Sequence, residues 1–81
     1  MSVMHFPSKE RIAALRKYYP HGTKVKLLAM DDPQAPPVGT LGEILGVDDA
    51  AQLLVRWETG SSLSIILGVD RFEIVQEGGK A

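Results

Sequence analysis

At Pro20-His21-Gly22 the spacing of apolar residues changes from helical to alternating, and this switch limits what the chain can become. Upstream, Ile12, Leu15 and Tyr19 fall at i, i+3 and i+7, one face of a helix, with Ala13 and Ala14 adding helix propensity. The pattern predicts one short amphipathic helix over residues 8–19. Ser8 stands after Pro7 as an N-cap, although Arg11 occupies the place where a capping box needs Glu or Gln. Pro20 and Gly22 end the helix, since proline cannot continue the ladder and glycine accepts the reversed φ of a C-terminal turn. Downstream the period is two, which predicts strands at about residues 23–30, 40–47, 52–58, 62–66 and 71–75.

Between the first two strands, residues 31–39 carry Pro33, Pro36 and Pro37 and must form a long loop. Residues 48–51 and 59–61 read as tight hairpin connections. With 81 residues there is room for one domain, spanning 8–75 between an N-terminal tail (1–7) and a flexible, glycine-rich C-terminal tail (76–81). No cysteine is present, so stability must come from apolar burial, and a cytoplasmic location is expected. The first ten residues lack the long apolar run of a signal peptide or membrane span.

The expected class is mostly β (α+β), an N-terminal helix followed by a five-stranded SH3-like small barrel, whose closure hides strand edges economically, with an open sheet carrying the helix across one face as the alternative. Val25, Leu27, Ile44, Leu53, Val55, Trp57, Leu63, Ile65, Phe72 and Ile74 share the predicted interior. Gly42 and Gly46 suit the bends such a barrel needs. Leu28, Leu45, Leu54 and Ile66 have the opposite parity and form a second stripe, to be covered by the chain's own helix or by a second copy. The helix is the expected cover, and a monomer the expected state.

A net charge of -1 argues against a protein built to neutralise phosphates, though six of the nine basic residues lie in the first 26 positions. Lys24 and Lys26 are the candidate phosphate contacts. His5 and His21 stand alone, no P-loop is present, and no metal-ligand spacing occurs, so no catalytic residue, metal or cofactor is expected. Asp31-Asp32 and Asp48-Asp49 read first as turn formers and only second as cation or partner contacts. Trp57 reads first as core and second as the floor of a groove beside the long loop. That groove's candidate residues are Asp31, Asp32, Gln34, Trp57, Ser61 and Ser62.

The run Met30-Asp31-Asp32-Pro33, with Ala35-Pro36-Pro37, Gly39-Thr40, Gly42, Val47-Asp48-Asp49, Val55-Arg56-Trp57 and Gly60-Ser61-Ser62-Leu63, resembles a family of small bacterial domains of unknown function often encoded in phages and conjugative elements. The resemblance implies an SH3-like barrel and carries no activity. Where family versions place an aromatic after the Asp-Pro pair this chain has Gln34, and Glu58-Thr59-Gly60 replaces Asp-Asn-Gly.

The function expected on these grounds is a noncatalytic interaction module from a phage or mobile-element context, binding a protein partner through residues 31–39 and nearby surface. A nucleic-acid module and a small-ligand or nucleotide-binding protein that counters host defence are the alternatives. An enzyme is the least supported reading.

Overall fold

A computed structural model of the chain describes residues 8–75. Helix α1 (Lys9–Tyr18) is followed by strands β1 (Lys24–Ala29), β2 (Leu41–Val47), β3 (Gln52–Trp57), β4 (Ile65–Ile66) and β5 (Arg71–Ile74). Ser8 caps the helix as expected, its hydroxyl accepting the Arg11 N–H at 3.1 Å, and Tyr19 closes it with its N–H on the Leu15 carbonyl. No helix among the described residues is long and apolar enough to cross a membrane.

The five strands form one antiparallel sheet in the order β4-β3-β2-β1-β5. Its two edge strands are therefore consecutive in sequence, joined only by residues 67–70. That turn is helical in its bonding, since Val69 and Asp70 both donate to the Ile66 carbonyl, which holds Ile66 and Arg71 within about 10 Å. Across a flat sheet the same edges would lie about 19 Å apart, four spacings of about 4.8 Å. The sheet must curl. It curls into a barrel-like shape that stays open, because β4 and β5 do not pair; the expected mostly β class, a helix before five strands in a small barrel-like sheet, is borne out, with its edges left unclosed. The fourth strand is also shorter than its sequence pattern suggested.

Inside the curl lie Val25, Leu27, Ile44, Val47, Leu53, Val55, Trp57 and Ile65, all buried, with Leu15, Tyr19 and Phe72 packed against them. Val47 was not expected here. A bulge between Ile44 and Gly46 shifts the parity of β2, turning Val47 inward. Ile74, expected inside, is 42% exposed, near the end of the edge strand β5.

The helix covers the inner face, burying Ile12 and seating Leu15 and Tyr19 on the core. It does not cover the second stripe, so that expectation is corrected: Leu28, Leu45, Leu54 and Ile66 remain exposed. Nor are they one stripe. Register places Leu45, Leu54 and Ile66 together toward the β2–β3 hairpin, whereas Leu28 lies beyond Lys26↔Leu41 at the other end of the sheet.

Gly42 sits between Val25 and Trp57 on the inner face. A Cβ there would come within 2.7 Å of both Trp57 Cε3 and Val55 Cγ1. Gly42→Ala is accordingly expected to cost about 1–3 kcal/mol through overpacking, read as a lower urea midpoint with unchanged slope. A wild-type midpoint would mean the indole does not lie across this glycine.

Candidate functional site

The long loop is folded by its own side chains. Asp32 Oδ1 accepts the Gln34 N–H at 2.7 Å, and the Asp32 carbonyl accepts the Ala35 N–H. Pro36 is buried. Thr40 returns both its hydroxyl and its N–H to the Pro37 carbonyl. Gly39, at φ +93°, donates to the Leu27 carbonyl at 2.7 Å, docking the loop onto the end of β1. Only a residue tolerant of the left-handed region fits there without strain. Asp31, Asp32, Gln34 and Val38 stay exposed on the outside, Val38 by 72%.

Ser61 and Ser62 lie at the same end of the sheet, because β1 ends, β2 begins and β3 ends there. Ser61 serves the turn: its carbonyl accepts the Trp57 N–H and its hydroxyl the Leu63 N–H. Ser62 is exposed. Trp57 does not join this surface. It is 1% exposed, and its indole Nε1–H donates to the Leu63 carbonyl at 2.9 Å, so the ring is part of the core. Asp31, Asp32, Gln34, Ser61 and Ser62 thus lie toward one end of the sheet, with Trp57 buried beneath it.

Lys24 and Lys26 lie on the outer face of β1. Lys26 pairs with Glu73 across to β5 at 3.5 Å. Lys24 stands opposite Glu43, which binds Arg56 at 2.8 Å. That hydrogen bond from Arg56 is the main reason the Glu43 carboxyl lies below the usual carboxylate range; partial desolvation opposes it, and the charges of Lys24, Arg56 and His21 assist. Around this row a shallow cleft of about 310 Å³ is lined by Lys24, Leu41, Glu43, Arg56 and Glu58 among others. Both signs of charge border it, with Leu41 between them.

Sequence reasoning missed Arg16. It sends Nε and Nη2 to the Val47 carbonyl at 3.3 and 3.0 Å and lies 3.9 Å from Asp49, tying the helix to the β2–β3 hairpin. Nothing in local spacing signals a contact 31 residues away. Asp48 behaves as the turn former expected, its Oδ1 accepting the Ala50 and Gln52 N–H groups. Among the described residues no group of three His, Cys, Asp or Glu converges as a metal site would.

A short helix seated inside a curled five-stranded sheet, with a prefolded acidic loop at one end, defines a small β-rich domain. The chain belongs to the family described as Domain of unknown function (DUF4314), whose model matches residues 8–75. No curated protein and no solved structure matches it.

Two measurements check this geometry. Trp57→Ala should lose about 3–5 kcal/mol, the cost of emptying a buried aromatic site, and a near-native denaturant midpoint would put Trp57 on the surface. Because the folded Glu43 pKa is depressed, its contribution is present above the unfolded carboxylate pKa and is lost as pH falls through the lower folded value. The stability difference between wild type and Glu43→Gln should therefore shrink on acidification through that window. A difference independent of pH would contradict the Arg56 pairing.

Proposed function

We propose that this domain is a noncatalytic module that binds a protein partner through residues 31–39 and the adjoining end of the outer sheet face. The observation that carries the proposal is a loop held in one conformation by its own hydrogen bonds while Asp31, Asp32, Gln34 and Val38 remain exposed. Such a loop loses little conformational freedom on binding, which favours affinity from a small surface. Exposed Leu28 and Leu41 lie at the same end, giving an apolar centre with an acidic rim, the usual anatomy of a protein interface. A phage or mobile-element context, an SH3-like kinship and a cytoplasmic location are parts of the same proposal.

The nucleic-acid alternative is weakened by neutralisation. Lys26, Arg56 and Arg16 each have a carboxylate within 4 Å, which takes these three cations out of the set open to a phosphate backbone, while Lys9, Arg11, Lys17, Lys24 and Arg71 make no ion pair among the described residues. The small-ligand alternative, including the nucleotide-binding role against host defence, draws on the 310 Å³ cleft, which falls at the lower end of ligand-site volumes of about 300–1,000 Å³.

Affinity capture from the source cells with wild type, Val38→Glu and Leu54→Glu tests the proposal. A protein retained by wild type and Leu54→Glu but lost with Val38→Glu is the expected result. Equal capture by all three would remove the loop from the interface. Salt-sensitive DNA or RNA binding, flattened by about two charges in the Lys24→Gln/Lys26→Gln variant, would replace the proposal with the nucleic-acid reading.

A further inference from the structure

The two edges of the open sheet are not equivalent. At β4 the edge is closed by its own turn: the Ile66 N–H donates to Asp70 Oδ2 at 2.8 Å, and the Ile66 carbonyl accepts the Val69 and Asp70 N–H groups. A further strand cannot add there without displacing these bonds. At β5 nothing comparable is found among the described residues. The Val75 N–H donates to the Lys24 carbonyl, and Glu73 stands opposite Lys26, so residues 73 and 75 direct their backbone groups toward β1. By alternation, Phe72 and Ile74 turn theirs toward the open edge. Unpaired strand edges recruit further strands unless proline, a bulge or inward-pointing charge blunts them; Arg71–Ile74 contains no proline, and the irregularity of the β1–β5 ladder between Leu27 and Ala29 places its extra residue on β1 rather than on the edge strand.

The charges along β5 select the occupant. Arg71 and Glu73 share the outer face, two residues apart, and Arg71 makes no ion pair among the described residues, while Glu73 meets Lys26 at 3.5 Å. A strand carrying cation and anion at this spacing complements itself when laid antiparallel against its own copy. Centring the two-fold axis at Glu73 would set two carboxylates directly opposite, which is unfavourable. Centring it at Phe72 sets arginine against glutamate twice.

We propose that the domain pairs with a second copy of itself edge to edge through β5, antiparallel about a two-fold axis at Phe72, with Arg71 opposite the partner's Glu73. Phe72 then exchanges both backbone hydrogen bonds with the partner's Phe72, and the Ile74 N–H reaches the partner's Asp70 carbonyl. The half-exposed Ile74 gains the partner's Phe72 as a diagonal neighbour. The closed β4 edge keeps the contact isologous, so that it ends at a dimer rather than growing into a fibre. This pairing leaves the loop of residues 31–39 out of the contact and is independent of its role in partner binding.

Sedimentation of the full chain over a dilution series tests the pairing, with far-UV circular dichroism and thermal melts confirming that each variant is folded. Wild type should pass from dimer to monomer on dilution. Arg71→Glu and Glu73→Arg should each weaken association by about tenfold, and the double exchange should restore it. Because the double variant still places an arginine beside Lys26, its recovery reports the contact between copies rather than the loss of the Lys26 pair. Amide exchange at Phe72 and Ile74 should slow as concentration rises. A monomer at every concentration, a dimer indifferent to both single reversals, a double variant that stays weak, or a dimer broken instead by Leu54→Glu would each overturn the proposal.

Discussion

The packing of the Trp57 indole across Gly42 organises the rest of the fold. Gly42 lies in the middle of the sheet, paired between β1 and β3, and its missing side chain leaves the space that the Trp57 ring occupies, since a Cβ there would come within 2.7 Å of Trp57 Cε3. Once inside, the indole needs a partner for its N–H, since a buried unpaired donor costs about 1–3 kcal/mol. The Leu63 carbonyl supplies it, drawing residues 61–64 back beneath the ring. This sets the start of β4, and the helical turn of residues 67–70 then carries the chain across to β5. The indole and the glycine that admits it thus fill the interior of the curl that the short connection between the two edge strands imposes.

Much of this was readable in the sequence. The helix and all five strands follow from the two apolar periods, and the turn at Pro20-His21-Gly22 falls where they change. Asp32 and Asp48 form the side-chain turns their settings suggested. What was not readable depends on register. The bulge at Leu45 reverses the parity of β2 from that point, which no alternating pattern reveals, and so Val47 joined the core unannounced. The grouping of Leu28 with Leu45 failed because parity assigns a residue to a face and says nothing of its position along it. Arg16 was hidden for a related reason: its acceptor is a backbone carbonyl, and a carbonyl has no residue type to recognise.

On the outer face the same register divides the surface into three parts. A central band of charge, Lys24, Glu43 and Arg56, is largely neutralised within itself. Beyond it lie Leu28, Leu41 and the fixed loop at one end, and Leu45, Leu54 and Ile66 at the other. The candidate site was legible as a loop and a set of polar residues; which of them face solvent and which serve the turns required the hydrogen bonds themselves.

The central claim, that Trp57 is sealed within the sheet and held by the Leu63 carbonyl, is tested most directly by exchange of its indole N–H with solvent deuterium, followed by NMR. If the ring lies across Gly42 as described, that proton exchanges only when the domain unfolds, with an opening free energy equal to the stability measured by denaturant. Rapid exchange in the folded protein, at the rate of an exposed tryptophan, would contradict the burial of the ring and its bond to the Leu63 carbonyl.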